Sequence, residues 1–141
     1  MSTRPGARVL DVGQCSMDHA SLRSLITSHF AADVDRVMSI QEALAAMRKT
    51  AYDLVLVNRL IFDDHSEGLR LVEESRRDPQ LRDVPIMMVS NYPEAQAEAV
   101  AAGALPGFGK SELYNASTRQ RLATVLPLKA QQATKRSVVR E

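Results

Sequence analysis

Asn58, Ser90 and Lys110 each end an apolar run, and together they offer an amide, a hydroxyl and an ammonium. The runs are Asp53-Leu-Val-Leu-Val-Asn58, Pro85-Ile-Met-Met-Val-Ser90 and the shorter Leu105-Pro-Gly-Phe-Gly-Lys110. A fourth, Arg8-Val-Leu-Asp-Val-Gly13, ends in Gly13-Gln14. In an open parallel sheet, residues just past the carboxyl ends of the strands line the ligand crevice. The set suits hydrogen bonding or an anion, but none of these four ends carries a carboxylate for nucleophilic or metal chemistry.

The elements that must position these residues alternate between strand and helix. Val9, Leu10 and Val12 read as a first strand, and Met17 to about Phe30 as a helix with Leu22, Leu25 and Ile26 on one face. A short strand around Val34–Met38 follows. Ser39-Ile-Gln-Glu42 has the capping-box form and opens a helix whose buried stripe is Ile40, Ala43, Leu44 and Met47. Leu54–Val57 is continuously apolar and rich in β-branched residues, as a strand covered on both faces should be. A long loop, 59–66, leads to a helix from about Glu67 to Arg77, which Asp78-Pro79 breaks.

Ile86–Val89 is the fourth strand. Tyr92-Pro93 opens an Ala-rich helix that Gly103 ends. A fifth strand near Phe108 precedes a last helix with Leu122, Val125 and Leu126 on its face, stopped by Pro127. Five βα units predict an α/β fold, a flavodoxin-like (βα)5 doubly wound sandwich on a five-stranded parallel sheet. The domain spans 7–126, between a short N-terminal extension (1–6) and a flexible basic tail (127–141).

Composition narrows the function classes. The chain has 141 residues and a net charge of +1, which argues against electrostatic capture of nucleic acid or anionic membrane. Residues 1–126 carry 14 basic and 16 acidic side chains, whereas 127–141 carry four basic and one acidic. The tail's Lys129, Lys135, Arg136 and Arg140 read as a solubilising run. One cysteine, Cys15, excludes an internal disulfide and suits a reducing cytoplasm. No apolar run is long enough to span a membrane.

With that order of elements, the strand ends resemble those of response-regulator receiver domains. Asn58 falls where the family's phosphoaccepting Asp stands, Ser90 at its Ser/Thr position and Lys110 at its Lys. Gly103-Ala104 with the following residues up to Lys110 resembles its Gly-Ala-x-x-x-x-x-Lys segment. The family's chemistry needs a carboxylate nucleophile and a magnesium ion held partly by two acids after the first strand. Here Gly13 and Gln14 stand at that acid pair. Ser111 follows Lys110 where Pro is usual, Gly107 takes the place of the switch aromatic, and the loop after Asn58 is longer.

The resemblance therefore implies a receiver with no resident cofactor, its magnesium site lost or weak. The expectation is a stand-alone, non-enzymatic module of a bacterial two-component (phosphorelay) pathway, independent of aspartyl phosphorylation. It implies contact with a sensor kinase, regulator or output protein through the fourth helix, fifth strand and fifth helix, within 93–126. The module could serve as adaptor, kinase decoy or homodimer.

Alternatives stay open. Asp63 or Asp64 in the long loop, beside His65, could accept a phosphoryl group in place of Asn58. Ser90 and Lys110 could bind a small anion. Lys110 needs an acceptor, with Asp11 one candidate, backbone carbonyls or an anion others. Cys15 could be redox-sensitive, although a small, partly buried role fits it better. Ala104-Leu-Pro-Gly-Phe-Gly-Lys110-Ser111 is a near miss to a phosphate-binding loop, because Ala stands where Gly is required and a helix precedes it. Met47, Met87 and Met88 read as core.

Overall fold

A computed structural model describes residues 6–129 of the chain. The expectations for residues 1–5, and for Lys135, Arg136 and Arg140 in the tail, lie outside the described residues.

Among the described residues, five strands and five α-helices alternate: β1 (Ala7–Val12), α1 (Ser16–His29), β2 (Ala32–Val37), α2 (Ile40–Lys49), β3 (Leu54–Asn58), α3 (Leu69–Arg77), β4 (Ile86–Val89), α4 (Pro93–Ala101), β5 (Leu105–Phe108) and α5 (Ala116–Ala123). All strand pairs are parallel, in the order β2-β1-β3-β4-β5. This is the flavodoxin-like (βα)5 sandwich that the alternation predicts.

Side-chain alternation along β3 shows how the two layers form. Val55 and Val57 face a core shared with Leu44 and Met47 of α2 and Leu71 and Val72 of α3. Leu54 and Leu56 face the other, built on Leu22 and Ile26 of α1 and Leu122 of α5. Both faces of a central strand are therefore dry, which explains its unbroken apolar run. Met47, Met87 and Met88 are core, as expected.

Local chemistry sets the helix ends. Ser39 Oγ accepts the Glu42 amide at 3.0 Å, while the Glu42 carboxylate reaches one residue further back, to the Met38 amide at 2.8 Å. Cys15 caps α1, its sulfur 3.5 Å from the Asp18 amide, and is partly buried. Pro93 sits in the first turn of α4.

Three boundaries differ from expectation. Helix α3 starts at Leu69, because Glu67 pairs with Leu60 in an antiparallel bridge that closes the loop. Helix α5 ends at Ala123, so Leu126 is buried from the turn beyond it, and Val125 packs alongside. Strand β2 runs over 32–37, earlier than the apolar pattern suggested, with Ala32 paired to Ala7. No helix among the described residues is long and apolar enough to cross a membrane.

Candidate functional site

The carboxyl edge of the sheet collects Gly13, Asn58, Ser90 and Lys110 at the ends of β1, β3, β4 and β5. Asn58 is the last residue of β3, and its Nδ2 donates to the Gly13 carbonyl at 3.2 Å. The neighbouring Phe62 amide donates to the same oxygen at 2.9 Å. Two donors thus converge on one carbonyl just past β1, one from a strand end and one from the loop beyond it.

Gly13 has φ +79°, a left-handed backbone that favours glycine. The space beside it is filled. A Cβ at residue 13 would lie 2.5 Å from Ile61 Cδ1 and 3.2 Å from Ile61 Cα. Ile61 is fully buried, and bonds from its amide to the Ser66 carbonyl and from the His65 amide to its own carbonyl, both 2.8 Å, hold it there. His65 takes φ +60° to close this turn. The long 59–66 loop therefore delivers an aliphatic side chain to the end of β1.

Gln14 is also fully buried, and neither end of its amide makes a well-formed hydrogen bond. It lies close enough to favour the ionised form of Asp11. Its backbone carbonyl accepts from Arg36 Nη2 at 3.0 Å.

Lys110 has a partner that the strand ends did not reveal. Its Nζ lies 2.7 Å from Asp18 Oδ2, and both side chains are half-buried. The bond from Lys110 is the main reason the Asp18 carboxyl is held below the usual carboxylate range. Asp11 is not the acceptor. Its carboxylate is fully buried in the layer below α1, where Oδ2 meets His19 Nδ1 at 2.7 Å. Burial pushes the Asp11 carboxyl up, against the opposing hydrogen bond from His19.

Asn58, Ser90 and Lys110 do come together. With Arg59 and Asn91 they line a pocket of about 220 Å³ over the ends of β3, β4 and β5. Ser90 is nearly buried, and its Oγ accepts the Tyr92 amide at 3.1 Å, so the hydroxyl is engaged in the turn into α4. Ser111, where a proline would have no N–H, donates from both amide and hydroxyl to Asn91 Oδ1 at 3.1 and 3.0 Å. That pair fastens the β4–α4 turn to the start of the 3₁₀ turn Lys110–Glu112.

Asp63 and Asp64 do not line the pocket. Both are exposed, as is His65. Asp64 Oδ1 accepts the Ser66 amide and hydroxyl at 2.9 and 2.7 Å, and these bonds lower its pKa. Residues 105–108 form β5 itself, so the segment 104–111 is strand and 3₁₀ turn rather than a phosphate-wrapping loop. Among the described residues, no three His, Cys, Asp or Glu side chains lie close enough to share a metal ion.

Gln96 of α4 is a further positioning residue that the sequence reading missed. Its Nε2 donates to the Met88 and Ser90 carbonyls at 2.9 and 3.1 Å, and its Oε1 accepts the Gly107 amide at 3.0 Å. A Cβ at residue 107 would meet Met88 O at 2.2 Å and Gln96 Oε1 at 3.0 Å. One amide thus joins α4, β4 and β5 where Gly107 leaves room for it. The available signal was Gln96 itself, the single amide side chain in an Ala-rich helix.

Three-dimensional comparison decides what this arrangement resembles. The chemotaxis protein CheY4 of Vibrio cholerae superposes with a TM-score of 0.66 at 25% identity, over 85% of this chain and 98% of that one. The fold is that of a response-regulator receiver domain. A response regulator assigned in Chloroflexus aurantiacus matches with a TM-score of 0.69 at 23% identity, over 83% of this chain and 98% of its own. The signal receiver domain of a histidine kinase from Syntrophus aciditrophicus gives 0.65 at 18%, over 84% and 92%. No family model and no curated protein matches the chain by sequence.

Proposed function

We propose that this chain is a receiver-like signalling module that works by protein–protein contact and without aspartyl phosphorylation. The observation that carries the reading is the pairing of Gly13 with Ile61 beside Asn58. A hard divalent cation wants charged oxygen ligands. At this edge residue 13 has no side chain, Gln14 is a buried amide and Asn58 turns an N–H toward β1. An aliphatic side chain stands where a first acid would have to project. These residues do not fit magnesium, and an amide is a poor nucleophile for phosphoryl transfer.

Without phosphorylation, the balance between two conformations shifts only through a partner or ligand that distinguishes them. The contacts of Gln96 and the Asn91–Ser111 pair favour one arrangement of α4, β5 and the turns beside them. The groove of about 660 Å³ between α4, β5 and α5, walled by Pro93, Ala97, Val100, Pro106 and Phe108, is the proposed partner surface. The partner is a kinase, regulator or output protein of a bacterial two-component pathway, and the setting is cytoplasmic.

Two other readings weigh less. Acceptance at Asp64 would require its carboxylate to leave Ser66, and neither Asp63 nor Asp64 lines the pocket that holds Lys110. Binding of a small anion beside Ser90 would require Lys110 to exchange Asp18 for the ligand.

Paramagnetic line broadening tests the reading. Manganese, standing in for magnesium, should leave the amide signals of residues 13, 14 and 58 unbroadened. Selective broadening at those three positions would sink the proposal.

A further inference from the structure

The two edges of the sheet differ. At β5, Pro106 has no N–H, the Gly107 amide donates to Gln96 Oε1 at 3.0 Å, and the Gly107 carbonyl accepts Arg121 Nη1 at 2.9 Å. Side chains of the neighbouring helices close that edge. Strand β2 is the other edge. The Ala7 and Gly13 amides donate to the Ala31 and Val37 carbonyls at 2.8 and 3.0 Å. Alternation then turns the backbone of residues 31, 33, 35 and 37 toward β1, and that of Ala32, Val34 and Arg36 outward. Among the described residues nothing bonds to those outward N–H and C=O groups. An open edge of this kind is a template for another extended segment.

The chain itself returns to the start of this strand. Beyond α5, the Pro127 carbonyl accepts the Ala31 amide at 2.9 Å, and the Lys129 amide donates to the His29 carbonyl at 3.3 Å. Leu128 thereby pairs with Phe30 in an antiparallel bridge. Val34 lies four positions beyond Phe30, roughly 13 Å along a strand. Residues 130–138 can reach roughly 30 Å when extended, so the span is covered with chain to spare for a turn.

The sequence that follows complements the edge. Val138 and Val139 are the only large apolar side chains after Lys129, both β-branched, and Arg140 comes next. In β2, Val34 is half-buried between Asp33 and Asp35. With Val139 beside Val34, Arg140 falls beside Asp33 if the segment runs antiparallel to β2, and beside Asp35 if it runs parallel. Arg36 then meets Ser137 or Glu141, so no cation is set against a cation. Apolar and opposite-charge pairs across strands are what stabilise a sheet. No surplus of charge is needed, since Arg8 already matches Asp35.

We infer that the β2 edge is a docking site for this chain's own segment 138–140, which adds to the sheet as an extended strand. The inference stands apart from the chemistry of the carboxyl edge and from the groove between α4, β5 and α5.

Amide hydrogen exchange of the full chain, read by NMR, tests it. The Val34 and Arg36 amides should exchange about tenfold or more slowly in the native chain than in Val139→Pro, which removes an N–H from the added strand. Arg140→Asp should speed the same two amides, whereas Gln131→Pro, outside the docked residues, should leave them slow. Unchanged exchange in β3 and β4 checks that each variant keeps its fold. Equal exchange at Val34 and Arg36 in the native and Val139→Pro chains would overturn the inference. So would slow exchange that fades on dilution, which would give the edge to a second copy of the chain.

Discussion

Ile61 occupies the space that any side chain at residue 13 would need, its Cδ1 2.5 Å from the position of a Cβ on Gly13. The left-handed backbone of Gly13 and the burial of Ile61 are two halves of one arrangement. Gly13→Ala should therefore destabilise the fold by about 1–3 kcal/mol from backbone strain alone, and by more from the collision. Ile61→Ala should cost roughly 2–5 kcal/mol from the cavity it leaves. Because Ile61→Ala also makes room for the new methyl, the double variant should lose clearly less than the two losses added. Urea denaturation of the four proteins measures this, and strict additivity would show that the two residues are not coupled.

The Lys110–Asp18 bond predicts a local acid dependence. Asp18 is held below the usual carboxylate range chiefly by Lys110. Its stabilisation is present above the unfolded pKa and is lost as pH falls through the folded one. Lys110→Met should return the Asp18 carboxyl toward its ordinary value in a carbon-detected NMR titration. At this exposure the change in stability should stay within about 1 kcal/mol. An unmoved Asp18 titration would place the cause elsewhere.

Asp11 should behave in the opposite sense. Burial raises its folded pKa, so the stability linked to its proton is full below the unfolded value and declines as pH rises through the folded one. Asp11→Asn should flatten that decline when urea midpoints are compared between about pH 4 and pH 7. A variant whose midpoint falls with pH as steeply as the native chain's would assign the decline to another group.

Gln96 offers a separate handle on α4. Gln96→Leu keeps most of the bulk but removes the bonds to Met88, Ser90 and Gly107. With buried carbonyls left unpaired, the loss should be about 1–3 kcal/mol. Hydrogen exchange should quicken at residue 107, whose amide loses its acceptor. Unchanged protection there would mean that Gln96 does not hold β5 to α4.

Much of the fold could be read from the chain because its signals are local. The unbroken Leu54–Val57 run, the hydroxyl of Ser39 before Glu42, and Pro93 in a first turn each act within a few residues. The site was legible only at its strand ends. Asn58, Ser90 and Lys110 do share a pocket, but the residues that determine their chemistry come from far away. Asp18 lies 92 positions from Lys110, and nothing local to either residue marks the pair. The acid in the first turn after β1 was nevertheless visible, and its position at the carboxyl edge was the clue to choose it over Asp11. Ile61 had no such clue, since an apolar residue in a polar loop declares its burial only once the loop has folded back on Gly13.

We propose that this edge does not take up a phosphoryl group. Intact-mass measurement after incubation with acetyl phosphate and magnesium addresses it, with Asn58→Asp alongside. The native chain should show no adduct. The Asn58→Asp chain should show none either, because a restored nucleophile still lacks the acids to hold a metal beside it. A phosphoryl adduct on the native chain would contradict the account, and peptide mapping would then decide between Asp63 and Asp64.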